Sequence, residues 1–114
     1  MHEISIMKET LDLAIATAQA RSAQRIDHLT LKIGLLSGVV PEALRFAFDV
    51  VVQGTIAEGA TLEIELIPIQ CHCTTCNQPF EPEDDYLYEC PSCHQFSHRV
   101  LRGRELQLAS LEVS

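Results

Sequence analysis

Ile4, Met7, Leu11, Ala14, Ile15 and Ala18 recur at steps of three and four, with Lys8, Glu9, Asp12 and Arg21 between them. That period gathers the apolar positions on one face of a helix over residues 4 to 23, and the stripe needs a core to cover it. The period then drops to two. Leu29, Leu31, Ile33 and Leu35 alternate with Thr30, Lys32 and Gly34, which predicts a strand with one buried face, broken at Ser37-Gly38. Pro41 suits a first helical turn, and Leu44, Phe48, Val51 and Val52 fall on one face of a second helix that Gly54 can stop. From Thr61 to Ile67 the alternation returns, with Leu62, Ile64 and Leu66 set against Glu63 and Glu65, before Pro68 interrupts the ladder.

Between Cys71 and His98 there is little periodicity, but there are paired cysteines, prolines and the acidic run Glu81 to Asp85. Alternation resumes at Glu105-Leu106-Gln107-Leu108, with Leu111 and Val113 out of phase, as a bulge would make them. The last strand is expected to rejoin the first sheet. The pattern predicts an α+β fold: a small mixed three-stranded sheet packed with two helices, plus an inserted zinc-ribbon lobe. The boundaries this implies are residues 1–70 together with 99–114 for the α+β domain, and 71–98 for the lobe.

Composition narrows the class. At 114 residues the chain holds one modest core plus a satellite that needs a staple. It has no apolar run near the roughly 20 residues that span a bilayer. The start lacks the basic and apolar regions of a secretory signal, and Glu3 and Glu9 argue against a transit peptide, so a cytoplasmic location is expected. A net charge of -8 disfavours nucleic acid and anionic lipid, whose phosphates need clustered Lys and Arg.

Cys73-x-x-Cys76 and Cys90-x-x-Cys93 are separated by thirteen residues. Each pair can turn two thiolates toward one ion, and two such turns complete a tetrahedral sulfur shell with bonds of about 2.3 Å. Four protein ligands leave no position for a substrate, so the site is structural. It also supplies what so short a lobe lacks, a reason to fold. Two disulfides or an iron centre are the chemical alternatives; reducing cytosol disfavours the first, and Asn77 and His94, where iron proteins of this kind favour glycine, speak against the second. Phe80, Tyr86, Tyr88 and Phe96 are the expected apolar packing of the lobe. Cys71 is a surplus thiol or a competitor for Cys73, and His72, His94 and His98 crowd the same segment. Arg99, Arg102 and Arg104 follow at once, where they can offset the negative charge of four thiolates. No nucleophile and base stand together in a recognisable set, and no enzyme is expected.

The chain opens Met1-His2-Glu3, and a bulky second residue such as histidine leaves the initiating methionine in place. An α-amine and an imidazole ordinarily titrate at about 8 and 6.5, so near neutrality both give up protons to a metal at little cost. The Met1 amine, the His2 backbone nitrogen and His2 Nδ1 can close fused chelate rings in one plane, and the fourth position is open to the Glu3 backbone nitrogen, its carboxylate or a side chain from elsewhere. Planar, nitrogen-rich coordination suits Ni(II) or Cu(II) and not zinc.

Together, the opening MHE, the segment LKIGLLSGVVPEALRFAFD, the stretch GTIAEGATLEIELIP and the CHCTTC and CPSC pairs resemble the HypA/HybF family of hydrogenase-maturation nickel chaperones. The resemblance spans essentially the whole chain. It implies nickel at Met1, His2 and Glu3, structural zinc at Cys73, Cys76, Cys90 and Cys93, and His98 as an occasional further ligand. It also implies a role without catalysis: carrying Ni(II), with a partner GTPase, to the large subunit of a nickel-iron hydrogenase, and in some members to urease. The competing reading is a zinc-ribbon adaptor that binds protein and transfers no nickel. An inserted lobe on short connections also permits strand exchange between copies, hence a homodimer.

Overall fold

The computed structural model describes residues 2–83 and 87–114. The elements run α1 (Glu3–Ala20), β1 (Ile26–Gly34), α2 (Pro41–Val51), β2 (Thr61–Ile67), β3 (Gln70–Cys73), β4 (Gln78–Phe80), β5 (Arg99–Arg102) and β6 (Leu106–Val113). They form two three-stranded sheets, ordered β2-β1-β6 and β4-β3-β5.

The first sheet is mixed, as its side-chain pairs reveal. His28 Nδ1 meets Thr61 Oγ1, and Thr30 Oγ1 donates to Glu63 Oε2 at 3.2 Å, so β1 and β2 advance together. Parallel neighbours need a crossover, and α2 is that crossover. β6 runs the other way: Arg25 exchanges both backbone bonds with Ser114, whereas the Gly34 N–H reaches the Glu105 carbonyl. In β1 the alternation is realised, with Leu29, Leu31 and Ile33 buried. The strand ends one residue early, at Gly34, and Leu35 is exposed. In β2, Leu62 and Ile64 are half-buried, but Leu66 faces outward and Ile67 is buried in its place. The half-buried positions of β6 are Leu108 and Leu111, three apart, where an unbroken strand would space them by two or four.

α1 buries Ile6, Met7, Leu11, Ala14 and Ala18, and α2 buries Leu44, Ala47 and Phe48; the two helices pack on one another. α1 stops at Ala20, three residues short of the predicted end. The Ser22 N–H bonds to the Gln19 carbonyl and the Ala23 N–H to the Ala18 carbonyl, while Ser22 adopts a left-handed φ of 58°. This is a Schellman cap with serine where glycine is usual.

The chain is organised as two compact units. One comprises Met1–Lys32, Val39–Glu65 and Gln107–Ser114; the other comprises Ile33–Gly38 and Leu66–Leu106. The cysteine-bearing unit is therefore larger than the span 71–98. It draws in the end of β1, all of β5 and the segment after it, because its own core needs them. That core is Ile69, Cys71, Cys73, Phe80 and Cys90, with Leu36, Tyr88 and Val100 packed against it. Phe96, an expected member, is instead 60% exposed, and Tyr86 lies outside the described residues.

Gly34 and Gly103 hold this unit together by having no side chain. A Cβ on Gly34 would lie 2.0 Å from the Gly103 carbonyl oxygen, and Gly103 itself has φ +122° with Ile69 Cα 3.1 Å from its missing Cβ. The close approach lets the Leu36 N–H bond to the Gly103 carbonyl at 2.6 Å.

Candidate metal centre

β3 is the central strand of the cysteine unit. It pairs antiparallel with β4, placing Cys71 opposite Phe80 and Cys73 opposite Gln78, and antiparallel with β5, placing Cys71 opposite Val100. Two tight turns carry the sulfurs. In the first, the Cys76 N–H points at Cys73 Sγ, 3.4 Å away. In the second, the His94 N–H bonds to the Cys90 carbonyl and the Cys90 N–H to the Gln95 carbonyl, each at 2.9 Å. Both turns close on a left-handed residue, Asn77 at φ 52° and His94 at φ 63°.

The turns bring Cys73, Cys76, Cys90 and Cys93 together, their sulfurs all within 4.8 Å of one another. Cys73 and Cys93, from different turns, are 3.4 Å apart. A tetrahedral ion with sulfur bonds of about 2.3 Å needs sulfurs separated by roughly 3.8 Å. The cluster fits a single such ion, and all its donors are soft thiols.

Electrostatics divide the four. The N–H groups of Cys93 and Ser92 point at the Cys90 sulfur and lower its pKa to about 7. A hydrogen bond with Cys93, together with burial and bonds from Cys73 and Cys90, pushes Cys76 up to about 12. Cys93 receives the Gln95 N–H, which lowers it, but burial and its contact with Cys73 outweigh this and leave it raised. Without a cation Cys76 and Cys93 retain their protons, which a divalent ion would displace.

Cys71 belongs to the core and not to the cluster: it is fully buried, and that burial raises its thiol against the lowering field of Arg104. No histidine joins the cluster among the described residues. His94 is exposed with Nδ1 3.6 Å from Glu89 Oε1, His98 is exposed, and His72 is half-buried with its carbonyl accepting from Ser97 Oγ at 2.6 Å. Ser97 is a residue the sequence reading passed over. It ties the segment after the second turn to β3, and only the fold brings the two together.

At the other end of the chain, His2 is the N-cap of α1, extended at φ -84° and ψ 150°, and its side chain makes no capping bond. Its carbonyl accepts the first helical bond, from Ile6 N at 3.1 Å. The N–H groups at a helix start have no acceptor within the helix, so the backbone nitrogens of His2 and Glu3 are not committed to the helical ladder. His2 is exposed and Glu3 half-exposed. Met1, the third predicted nickel residue, lies outside the described residues.

Two helices with a mixed sheet, carrying a ribbon of four convergent cysteines, define a small metal-binding α+β protein. A family model described as "Hydrogenase/urease nickel incorporation, metallochaperone, hypA" matches residues 1–113. The chain is 51% identical over 113 residues to a hydrogenase maturation factor HypA from Picosynechococcus sp., covering 99% of each, and 41% identical over 112 residues to that of Roseiflexus sp., covering 98% of this chain and 91% of the relative. Among solved structures it is similar to the solution structure of the Ni metallochaperone HypA from Helicobacter pylori, with TM-score 0.68, 25% identity and coverage of 99% and 97% of the two chains. A second solution structure of a HypA protein gives TM-score 0.73 at 26% identity, with coverage of 100% and 97%. The chain belongs to the HypA family of hydrogenase maturation factors. Its role lies in nickel incorporation into hydrogenase.

Proposed function

We propose that this chain is a nickel metallochaperone without catalytic activity, which binds Ni(II) through Met1, His2 and Glu3 and passes it, together with a partner GTPase, to the large subunit of a nickel-iron hydrogenase. The observation that carries the reading is the family match running from residue 1, over an exposed His2 at the start of α1. Amine, amide and imidazole nitrogens are the donors that suit a planar d⁸ cation. Using the His2 or Glu3 amide nitrogen breaks no helical hydrogen bond, and a site at a helix end exchanges ligands with an approaching partner more readily than a buried one.

Zinc at Cys73, Cys76, Cys90 and Cys93 holds the second unit in shape. The sulfur spacing supports zinc, and a closed four-thiolate shell has no open position for hydrolysis. Among the described residues no helix is long and apolar enough to cross a membrane. A cytoplasmic site of action suits both a reduced cysteine cluster and the assembly of a cytosolic enzyme precursor.

The test is complementation. In cells lacking the chain, the wild type restores nickel-dependent hydrogenase activity, whereas His2→Ala does not at trace nickel and does so in part when nickel is supplied in excess. Full rescue by His2→Ala at trace nickel would remove the chaperone site from Met1-His2-Glu3.

A further inference from the structure

From residue 46 to the end of the chain the only Lys or Arg residues are Arg99, Arg102 and Arg104, in a chain of net charge -8. All three are exposed. Their guanidinium groups have no hydrogen-bond or ion-pair partner among the described residues, whereas Arg25 and Arg45 bond to the carbonyls of Glu58 and Leu62. In sequence they stand where they can offset the thiolates. In the structure Arg104 acts on the buried Cys71, and the shifts of Cys76, Cys90 and Cys93 come from hydrogen bonds, burial and neighbouring sulfurs. The backbone between Arg102 and Arg104 is pinned on both sides: the Gly103 N–H donates to Glu105 Oε1 at 2.7 Å, and its carbonyl accepts from the Leu36 N–H at 2.6 Å. That first bond also occupies the nearest carboxylate in the chain sequence. Beside the pinned turn lies a cleft of about 270 Å³, walled by Val100, Leu101, Arg102, Arg104 and Glu105, with Leu101 40% exposed.

We propose that this cleft docks an acidic segment of a protein partner, whose carboxylates pair with Arg102 and Arg104 while an apolar side chain rests on Val100 and Leu101. Every cation of the patch is arginine, whose planar fork binds a carboxylate through two parallel hydrogen bonds, as lysine does not. Because the turn that carries Arg102 and Arg104 is already held by its backbone bonds, little ordering is left for the partner to impose. Net charge decides where such a segment can land. An acidic segment is repelled by the chain as a whole and attracted here, so the arginines set its position and direction as well as its affinity. Nucleic acid fits the same patch poorly. A duplex carries a charge about every 1.7 Å, so it would run past three arginines onto an acidic surface, and its phosphates gain nothing from Val100 and Leu101. A short peptide places its charges and one apolar residue within the reach of the cleft. The proposal does not depend on where nickel binds.

The experiment is fluorescence anisotropy with the full zinc-loaded chain and a labelled probe peptide, Glu-Asp-Leu-Glu-Asp-Leu, beside its amide counterpart, Gln-Asn-Leu-Gln-Asn-Leu. Salt is held at about 50 mM, where exposed charges are weakly screened. The acidic peptide binds at least about tenfold more tightly than the amide peptide, and the double variant Arg102→Glu/Arg104→Glu loses that preference. Lys8→Glu/Arg21→Glu makes the same change in net charge at exposed positions of α1 and its cap, and keeps the preference. On the wild-type chain the acidic peptide shifts the methyl resonances of Val100 and Leu101, a reading that needs no variant to fold. Equal binding of the two peptides, or an undiminished preference in natively folded, zinc-replete Arg102→Glu/Arg104→Glu, would overturn the proposal. So would methyl shifts centred elsewhere, or tighter binding of a hexauridylate RNA than of the acidic peptide. Nickel titration of the same samples is expected to be unchanged, so failure of the metal reading registers separately.

Discussion

The residues that decide the cysteine unit are ones whose side chains are small or whose backbones are unusual. Gly34→Ala drives a methyl into the Gly103 carbonyl, and backbone on both sides leaves little room to yield. We expect a loss of about 3 kcal/mol or more in urea denaturation of the zinc-loaded chain. His94→Gly relieves the left-handed φ of 63° and is expected to raise stability by up to about 1 kcal/mol. His94→Val, β-branched, should lower it by about 1–2 kcal/mol. In sequence, the absence of glycine after each cysteine pair read as a point against an iron centre. The structure removes that argument, because Asn77 and His94 adopt the conformation that glycine would have supplied. The cysteine spacing was legible because ligand geometry is local. The contact of Gly34 with Gly103 was not, because it joins residues far apart in the chain.

At the scale of elements, α1 and β1 were visible from periodicity alone, since a buried stripe must repeat with the element that bears it. The end of α1 was hidden because serine holds the left-handed position of its cap. β3, β4 and β5 were hidden for a different reason: they are three or four residues long, too short for alternation to register, and their register follows from the cysteine turns. Elements so dependent on a metal should be lost with it. Chelation, or Cys90→Ser, is expected to abolish amide-exchange protection in β3 to β5 while the helical signal of α1 and α2, which have their own core, persists. Acid should work in the same direction. Cys76 and Cys93, both raised, must surrender their protons to zinc at neutrality as well as in acid, whereas Cys90, at about 7, adds a further competing proton only below neutrality. Zinc retention in a competitive chelator assay therefore falls more steeply with pH below 7 than above it.

Across the whole molecule, the two kinds of donor are kept apart by chemistry. Four soft sulfurs in a closed set suit an ion that stays. An exposed histidine at a helix start suits one that leaves. Because the His2 side chain makes no capping bond, His2→Ala should alter unfolding free energy by less than about 0.5 kcal/mol, making it a clean probe of function. The most direct measurement is nickel titration of wild type and His2→Ala, each carrying one zinc per chain, followed by the absorption of diamagnetic planar nickel. The wild type should develop that band and saturate at one nickel, and His2→Ala, still folded and zinc-replete, should not. An equal band with equal affinity in His2→Ala would contradict the account.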